Sequence, residues 1–431
     1  MTIWIKGGKV VDPLKGSIVP SDIIIEKGKI KAIIPHGAFK ESVEGLELID
    51  ALDKLVLPGL IDMHTHLREP GFEYKETIET GSRAAAAGGF TAVACMPNTD
   101  PINDCRAVTE FVLEQARRAG FSRVYPIGAI SLGQKGEKLT EFGDLCEAGA
   151  VGVSDDGHPV ENSELMRRAI EYGAYHGLTV VSHCEDRALS ARGSMHEGVL
   201  STKMGLRGIP AASEEIMVFR EISLAKLTGC PVHIAHVSSA GSVELIRRAK
   251  EEGIPVTAET APHYFSLDHS ALTGYNTNAK VNPPLRTPGD VEAIKQGLKD
   301  GTIDAIATDH APHSILEKAV EFDQAAPGMI GLQTALPLTL DLVREGVLEI
   351  WDAVAKLSSN PAKILAVEGG GISEGDVADI VVVDPEIDYL FDEEMILSKS
   401  KNSPFLGRRL KGKAEITIVG GRVVWRACNK D

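Results

Sequence analysis

Leu55-Val56-Leu57-Pro58-Gly59-Leu60-Ile61-Asp62-Met63-His64-Thr65-His66-Leu67-Arg68-Glu69-Pro70-Gly71 is the stretch on which the reading of this chain turns. It opens with an apolar run bounded by turn residues, the pattern of a fully buried strand. Side chains alternate along a strand with period 2, so His64 and His66 point the same way at its end. Two imidazoles side by side are half of a metal site, and imidazole suits zinc, copper, iron or nickel. Alone, the pair reads equally well as two surface histidines after a core strand. The remaining sequence decides between the two.

Downstream, from about 57 to 366, a short apolar run, a loop and a helical segment recur. Strands are predicted at 57–64, 90–96, 123–129, 150–154, 178–183, 231–237, 254–259 and 303–309. Amphipathic helices are predicted between them, at 106–119, 163–176, 213–228, 242–252 and 290–299. Alternation of this kind implies a parallel sheet. Eight such strands point to a (β/α)₈ TIM-like barrel, with an open doubly wound sheet as the alternative. No dinucleotide or P-loop glycine pattern opens any of the helices, so a nucleotide reading has no support.

Both ends of the chain read as β. Gly7-Gly8 is predicted as a turn between Ile3–Lys6 and Lys9–Val11, and Glu26-Lys27-Gly28 as a turn between two further strands. Ile416-Thr417-Ile418-Val419-Gly420-Gly421-Arg422-Val423-Val424 echoes the N-terminal pattern, and Asp379–Asp384 is another strand. Isolated hairpins are marginal. The economical reading is a composite β-sandwich domain from 1–56 and 367–431, with the catalytic barrel at 57–366 inserted between.

Composition bounds the partners. With 431 residues, 43% hydrophobic and 25% charged, the chain is an ordinary globular protein. A net charge of −16 argues against nucleic acid, which needs a basic surface. No apolar run reaches the ~20 residues that span a membrane. Cys95, Cys105, Cys146, Cys184, Cys230 and Cys428 form no C-x-x-C pair, and reduced thiols in the cytoplasm are expected.

In such barrels the active site lies at the C-terminal ends of the strands. Those ends are rich in polar groups: His64 and His66, then Pro97-Asn98-Thr99, Asp155-Asp156-Gly157, His183, His236, and Asp309-His310. Groups this hard to bury would repel one another or stay desolvated without a cation between them. A metal centre resolves this, and so many ligands can hold two metals sharing a bridging oxygen. Taken singly, His183 or His236 is a packed core residue; beside His64, His66 and Asp309 each becomes a ligand. Strand alternation lets one of Asp155 and Asp156 face the mouth without saying which. His36, His158, His176, His196, His233 and His269 have no evident partners and read as surface or packing residues.

His64-Thr65-His66-Leu67-Arg68-Glu69-Pro70-Gly71, Met96-Pro97-Asn98-Thr99 and Ala307-Thr308-Asp309-His310-Ala311-Pro312-His313 resemble the larger, class I dihydroorotases of the amidohydrolase superfamily. The resemblance runs over essentially the whole chain. It implies two zinc ions, one held by His64, His66 and Asp309, the other by His183 and His236, with Asp156 as the bridge. Many relatives, hydantoinases among them, use a carboxylated lysine there; this chain has no lysine in Ala150–Asp156. The resemblance further implies substrate contacts from His66, Arg68, Asn98, Asn282, His313, Pro327 and Gly328. Arg68 suits a carboxylate, its competing reading being a salt bridge with Glu69 or another surface carboxylate. The implied reaction is reversible closure of N-carbamoyl-L-aspartate to L-dihydroorotate with loss of water, in pyrimidine (UMP) biosynthesis, with Asp309 carrying the proton. The long segment 310–330 is expected to close over substrate. A homodimer is expected, and a complex with aspartate transcarbamoylase stays open. Competing expectations are allantoinase or dihydropyrimidinase, and a non-catalytic partner of aspartate transcarbamoylase, which would be expected to have lost ligands.

Overall fold

A computed structural model describes residues 2–38 and 46–427. Eight parallel strands form the middle of the chain: Leu60–Thr65, Phe90–Cys95, Arg123–Gly128, Gly152–Val153, Thr179–Ser182, Val232–Ile234, Val256–Thr260 and Ala305–Ile306. They lie side by side in sequence order. The first and last meet just beyond the eighth strand, where Thr65 bridges His310 and the His66 amide donates to the His310 carbonyl at 2.8 Å. That contact closes the barrel. Each predicted strand is present, shorter by a few residues.

The helices wrap the outside, as their residues dictate. In Ser163–His176 the buried positions Met166, Ala169, Ile170 and Gly173 make one apolar stripe at helical spacing. Asn162 caps its start by accepting from the Glu164 and Leu165 amides, and Gly177 ends it in the left-handed conformation. Small inward side chains fill the barrel's interior: Ala94, Ala235, Ala305 and Ala307 pack with Met63, Met96, Ile127 and Val181.

The termini share one eight-stranded mixed sheet. Leu55–Pro58 is its keystone, parallel to Thr2–Asp12 on one side and antiparallel to Ile380–Leu390 on the other. Ile3, Ile5, Ile23, Ile25, Ile49, Val56, Ile380, Val382 and Ile418 form its own apolar cluster. The predicted first strand 57–64 is therefore two strands: one in the terminal sheet, and Leu60–Thr65 in the barrel. Gly59 separates them, its amide bonded to the Asp379 carbonyl at 2.8 Å. A Cβ there would lie 2.2 Å from Thr91 Oγ1, so only glycine lets the chain cross between the units.

One predicted turn is absent. Gly7-Gly8 lies inside a continuous strand, Thr2–Asp12, at a break in register against Ser17–Glu26. Gly7 adopts a φ of 75°, and its amide donates to the buried Asp22 carboxylate at 2.8 Å. The glycine pair is a bulge anchored by a side chain rather than a hairpin. The turns at Lys27-Gly28 and Gly420-Gly421 form as expected.

Candidate metal centre

The strand ends deliver four imidazoles and two carboxylates to one buried spot. Asp156 lies at its middle. Its Oδ1 is 3.4 Å from His64 Nε2, His183 Nδ1 and His236 Nε2, and its Oδ2 is 3.4 Å from His66 Nε2. Asp309 Oδ1 lies 3.1 Å from His66 Nε2 and 3.7 Å from His64 Nε2. His183 Nδ1 and His236 Nε2 face each other at 2.9 Å. Two triads result, His64–His66–Asp156 and Asp156–His183–His236, each with ligand atoms within 4.8 Å of one another.

These residues fit a metal. His64 Nε2 and Asp156 Oδ1 are buried and have no hydrogen-bond partner, a costly arrangement unless something else satisfies them. In His64, His66 and His183 the other ring nitrogen is committed elsewhere, which turns the free lone pair inward, whereas His236 Nδ1 is buried without a partner among the described residues. His64 Nδ1 donates to Glu259 at 2.7 Å, His66 Nδ1 to Asn98 Oδ1 at 2.8 Å, and His183 Nε2 to Glu185 at 3.0 Å. The charge balance agrees. Burial pushes the Asp156 carboxyl up, and the imidazoles of His64, His183 and His236 outweigh it, holding the group well below the usual range. Burial likewise raises Glu259, and the imidazoles of His233 and His64 bring it down to about 2.

Asp155 points away from the cluster. It accepts from the Ser131 amide at 3.0 Å and from the Ser131 hydroxyl, and serves a turn. The open choice between the two aspartates is thus resolved by geometry: Asp156 faces the mouth.

The backbone around the cluster is held in uncommon shapes. Arg68, His236 and Asp309 have φ of 63°, 34° and 47°. Non-glycine residues in such regions cost about 1–3 kcal/mol each and persist where the surroundings fix them, often at active sites. For Asp309 the fixing group is Asp62, whose Oδ1 accepts from both the His64 and Thr308 amides at 3.1 Å. One buried carboxylate thereby ties the first strand to the eighth.

Beside the cluster sits a second set. Arg68 is buried and, among the described residues, forms no ion pair with a carboxylate; its guanidinium donates to the Pro312 carbonyl at 3.2 Å and lies 3.4 Å from His313 Nε2. Glu69, the alternative partner, accepts instead from the Ile78 amide at 2.8 Å. His313 is kept neutral: burial foremost, then Arg68, Lys75 and Lys318, lower it to about 3. Gly328 adjoins His313, since a Cβ on it would lie 3.0 Å from the ring. Asn282 donates to Glu185 at 3.1 Å, and Glu185 thereby joins it to His183. Pro327 is exposed.

The segment 310–330 is pinned rather than loose. Lys318 Nζ donates to the Ala326 and Gly328 carbonyls at 2.8 and 3.0 Å, and Lys280 Nζ to those of Phe322 and Asp323. Asn402 adds bonds to the Ala311 and Gly328 carbonyls.

Sequence reasoning passed over Asp62, Glu185, Glu259 and His263. Glu259 was findable, because a glutamate inside a buried barrel strand such as Val256–Thr260 must have a partner. His263 follows that strand; its Nε2 is buried without a partner, and burial lowers the ring to about 4. His233, read as packing, is in fact bonded within this network. Among the described residues the five cysteines are unpaired; Cys428 lies outside them. No helix described is long and apolar enough to cross a membrane.

Comparison with known proteins gives a consistent picture. Residues 53–242 match the family model described as Dihydro-orotase-like, and residues 208–425 match that of the Amidohydrolase family. The chain is 55% identical to a dihydroorotase of Geobacter metallireducens, over 99% of this chain and 100% of that one. It is 56% identical to a dihydroorotase of Pelotomaculum thermopropionicum, over 98% of each. Among solved structures, the L-hydantoinase (dihydropyrimidinase) from Arthrobacter aurescens superposes with a TM-score of 0.88 at 26% identity, covering 98% of this chain and 96% of that one. The dihydropyrimidinase from Brevibacillus agri superposes at 0.85 with 24% identity, over 99% and 95%, a likeness of fold alone.

Proposed function

Because the chain belongs to the dihydroorotase family within the amidohydrolases, we propose that it is a zinc-dependent dihydroorotase. It interconverts N-carbamoyl-L-aspartate and L-dihydroorotate plus water, a step in making pyrimidines. The observation that carries this reading is the pair of buried triads sharing Asp156, beside a buried arginine that forms no ion pair among the described residues.

In this reading His64, His66 and Asp309 would hold one zinc ion and His183 and His236 a second, with Asp156 shared between the two sites. Metal held there supplies a water acidic enough to act as nucleophile at neutral pH, and a Lewis acid for the ring carbonyl. Asp309 receives the proton of the attacking water and returns it to the departing ring nitrogen, work typically worth ~10²–10⁴ in rate. Its contact with His66 keeps the carboxylate in the cluster. Arg68 binds the substrate carboxylate through its fork of donors. His313, neutral beside it, and Gly328 shape that end of the site. Asn98 and Asn282 face the ring amides, each with one amide atom already committed, to His66 and to Glu185. Pro327 completes the rim. The two units read as a β domain from both termini and a catalytic barrel, meeting at Gly59. A cytoplasmic homodimer, with association to aspartate transcarbamoylase open, completes the reading.

Hydantoinases and dihydropyrimidinases share the fold at 23–26% identity, and their ring substrates are the competing class. Arg68 favours an acidic ring over a neutral one. The deciding experiment is turnover of dihydroorotate beside dihydrouracil, hydantoin and allantoin, with and without a chelator. Turnover of dihydroorotate alone, lost on chelation and regained with zinc, is expected; preference for a neutral ring would overturn the reading.

A further inference from the structure

The polar contacts behind His64 do not stop at Glu259. His233, on the sixth barrel strand three residues before His236, is fully buried. Its Nε2 lies 3.4 Å from Glu259 Oε2, and its Nδ1 lies 2.8 Å from Thr257 Oγ1. Both His233 Nε2 and Glu259 Oε2 are buried and, among the described residues, neither makes a hydrogen bond, so they face each other as an ion-pair-distance contact. Four side chains from three strands thus form one line through the barrel interior: Thr257, His233, Glu259 and His64.

The direction of each proton along this line follows from donor and acceptor chemistry. A carboxylate accepts only. His64 Nδ1 must therefore carry a hydrogen, donated to one oxygen of Glu259, and a hydrogen on His233 Nε2 is the arrangement that suits the other oxygen facing it at 3.4 Å. His233 Nδ1 is then a lone pair, and the Thr257 hydroxyl donates to it. At the other end His64 Nε2 is left as a lone pair facing Asp156, the form a metal requires. The line starts at the opposite end of the barrel from the cluster. Thr257 and His233 there border a cavity of about 450 Å³, together with Leu178, Thr179, Pro231 and Asp304 at the strand starts.

We propose that His233 is a positioning residue for the metal site: anchored by Thr257, it fixes the Glu259 carboxylate and, through it, the tautomer and orientation of His64. This rests on the reading of His64 as a ligand. Without His233, one oxygen of Glu259 loses its polar neighbour, the carboxylate is free to turn, and His64 gains an alternative proton arrangement that cannot bind metal.

Zinc affinity, measured by competition with a chromogenic chelator on the full chain, tests this. His233→Leu keeps the bulk and removes both nitrogens; zinc affinity should fall about 10–100-fold, the usual cost of losing such a supporting partner. His233→Gln keeps an amide donor toward Glu259 and should recover most of the loss. Should His233→Leu not fold, Thr257→Val breaks the outer end of the line with His233 in place, and a smaller loss in the same direction is expected. Unchanged zinc affinity in a folded His233→Leu or Thr257→Val protein, or equal loss in the Leu and Gln variants, overturns the proposal. A wild-type protein that takes up no zinc would sink the ligand reading itself, a distinguishable result.

Discussion

Asp156 Oδ1 and His64 Nε2 lie 3.4 Å apart in the barrel mouth, and neither has a hydrogen bond to any other group. Two buried polar atoms facing each other in this way mark a place meant for a third. Asp156 also faces the second imidazole pair, so it is the residue both halves of the site share. Asp156→Ala should leave the outer helices and the terminal sheet intact while lowering bound zinc from two ions per chain to one or none. Metal analysis of dialysed protein gives the count. Two tightly held ions in that variant would contradict the bridging role.

Arg68 makes the sharpest statement about substrate. Its guanidinium is buried beside the Pro312 carbonyl and a neutral His313; Asp309 and Asp156 favour its charge from a distance, but among the described residues no carboxylate pairs with it directly. Hydrogen bonds to a charged partner are worth about 1.5–3 kcal/mol, or about 10- to 150-fold. Arg68→Met should lower kcat/KM for dihydroorotate by at least that factor, chiefly through KM. Arg68→Lys should recover little, since an ammonium lacks the planar fork. Steady-state kinetics at fixed zinc decide it.

His313 bears on acid stability. Burial, then the nearby cations, hold it at about 3, against an ordinary value of 6.5. The folded chain therefore binds fewer protons here than the unfolded chain between those values, and stability rises with pH across that window. The stabilisation is complete above pH 6.5 and is lost as pH falls toward 3. His313→Gln should flatten this part of the curve by up to one proton, ~1.4 kcal/mol per pH unit. Urea unfolding at a series of pH values measures the slope; an unchanged slope refutes the assignment.

Lys318 and Lys280 bear on the segment 310–330. Their Nζ groups bond to loop carbonyls, and that of Lys280 also sits over the Phe322 ring, so they act as internal clips. Lys318→Met should loosen the segment, with faster hydrogen exchange and proteolysis across 310–330 and a higher KM, while the strands behind stay protected. Exchange unchanged in that variant would show that other contacts suffice to hold the loop.

The fold was legible because its signals are local. Most barrel strands are short, largely apolar runs, and several of the long helices carry an apolar stripe and a capped start, as Ser163–His176 does. The metal ligands were legible because a mouth built from strand ends converts sequence position into spatial convergence. The groups behind them were not. Glu259 and His233 make no pattern with His64 until the barrel brings the first, sixth and seventh strands together. Gly7-Gly8 misled for a related reason: the pair reads as a turn until Asp22, fifteen residues away, takes its amide and makes it a bulge. Leu55–Pro58 and Leu60–Thr65 read as one run because both are apolar, and only the close approach of Thr91 to Gly59 divides them.

The most direct test of the central claim joins metal content to turnover in one titration. Protein stripped by chelator and checked for intact fold by circular dichroism is reconstituted with zinc while dihydroorotate hydrolysis is followed. No turnover without metal, and activity rising to a plateau near two equivalents per chain, is the expected result. Full activity in folded protein that retains no metal would contradict it.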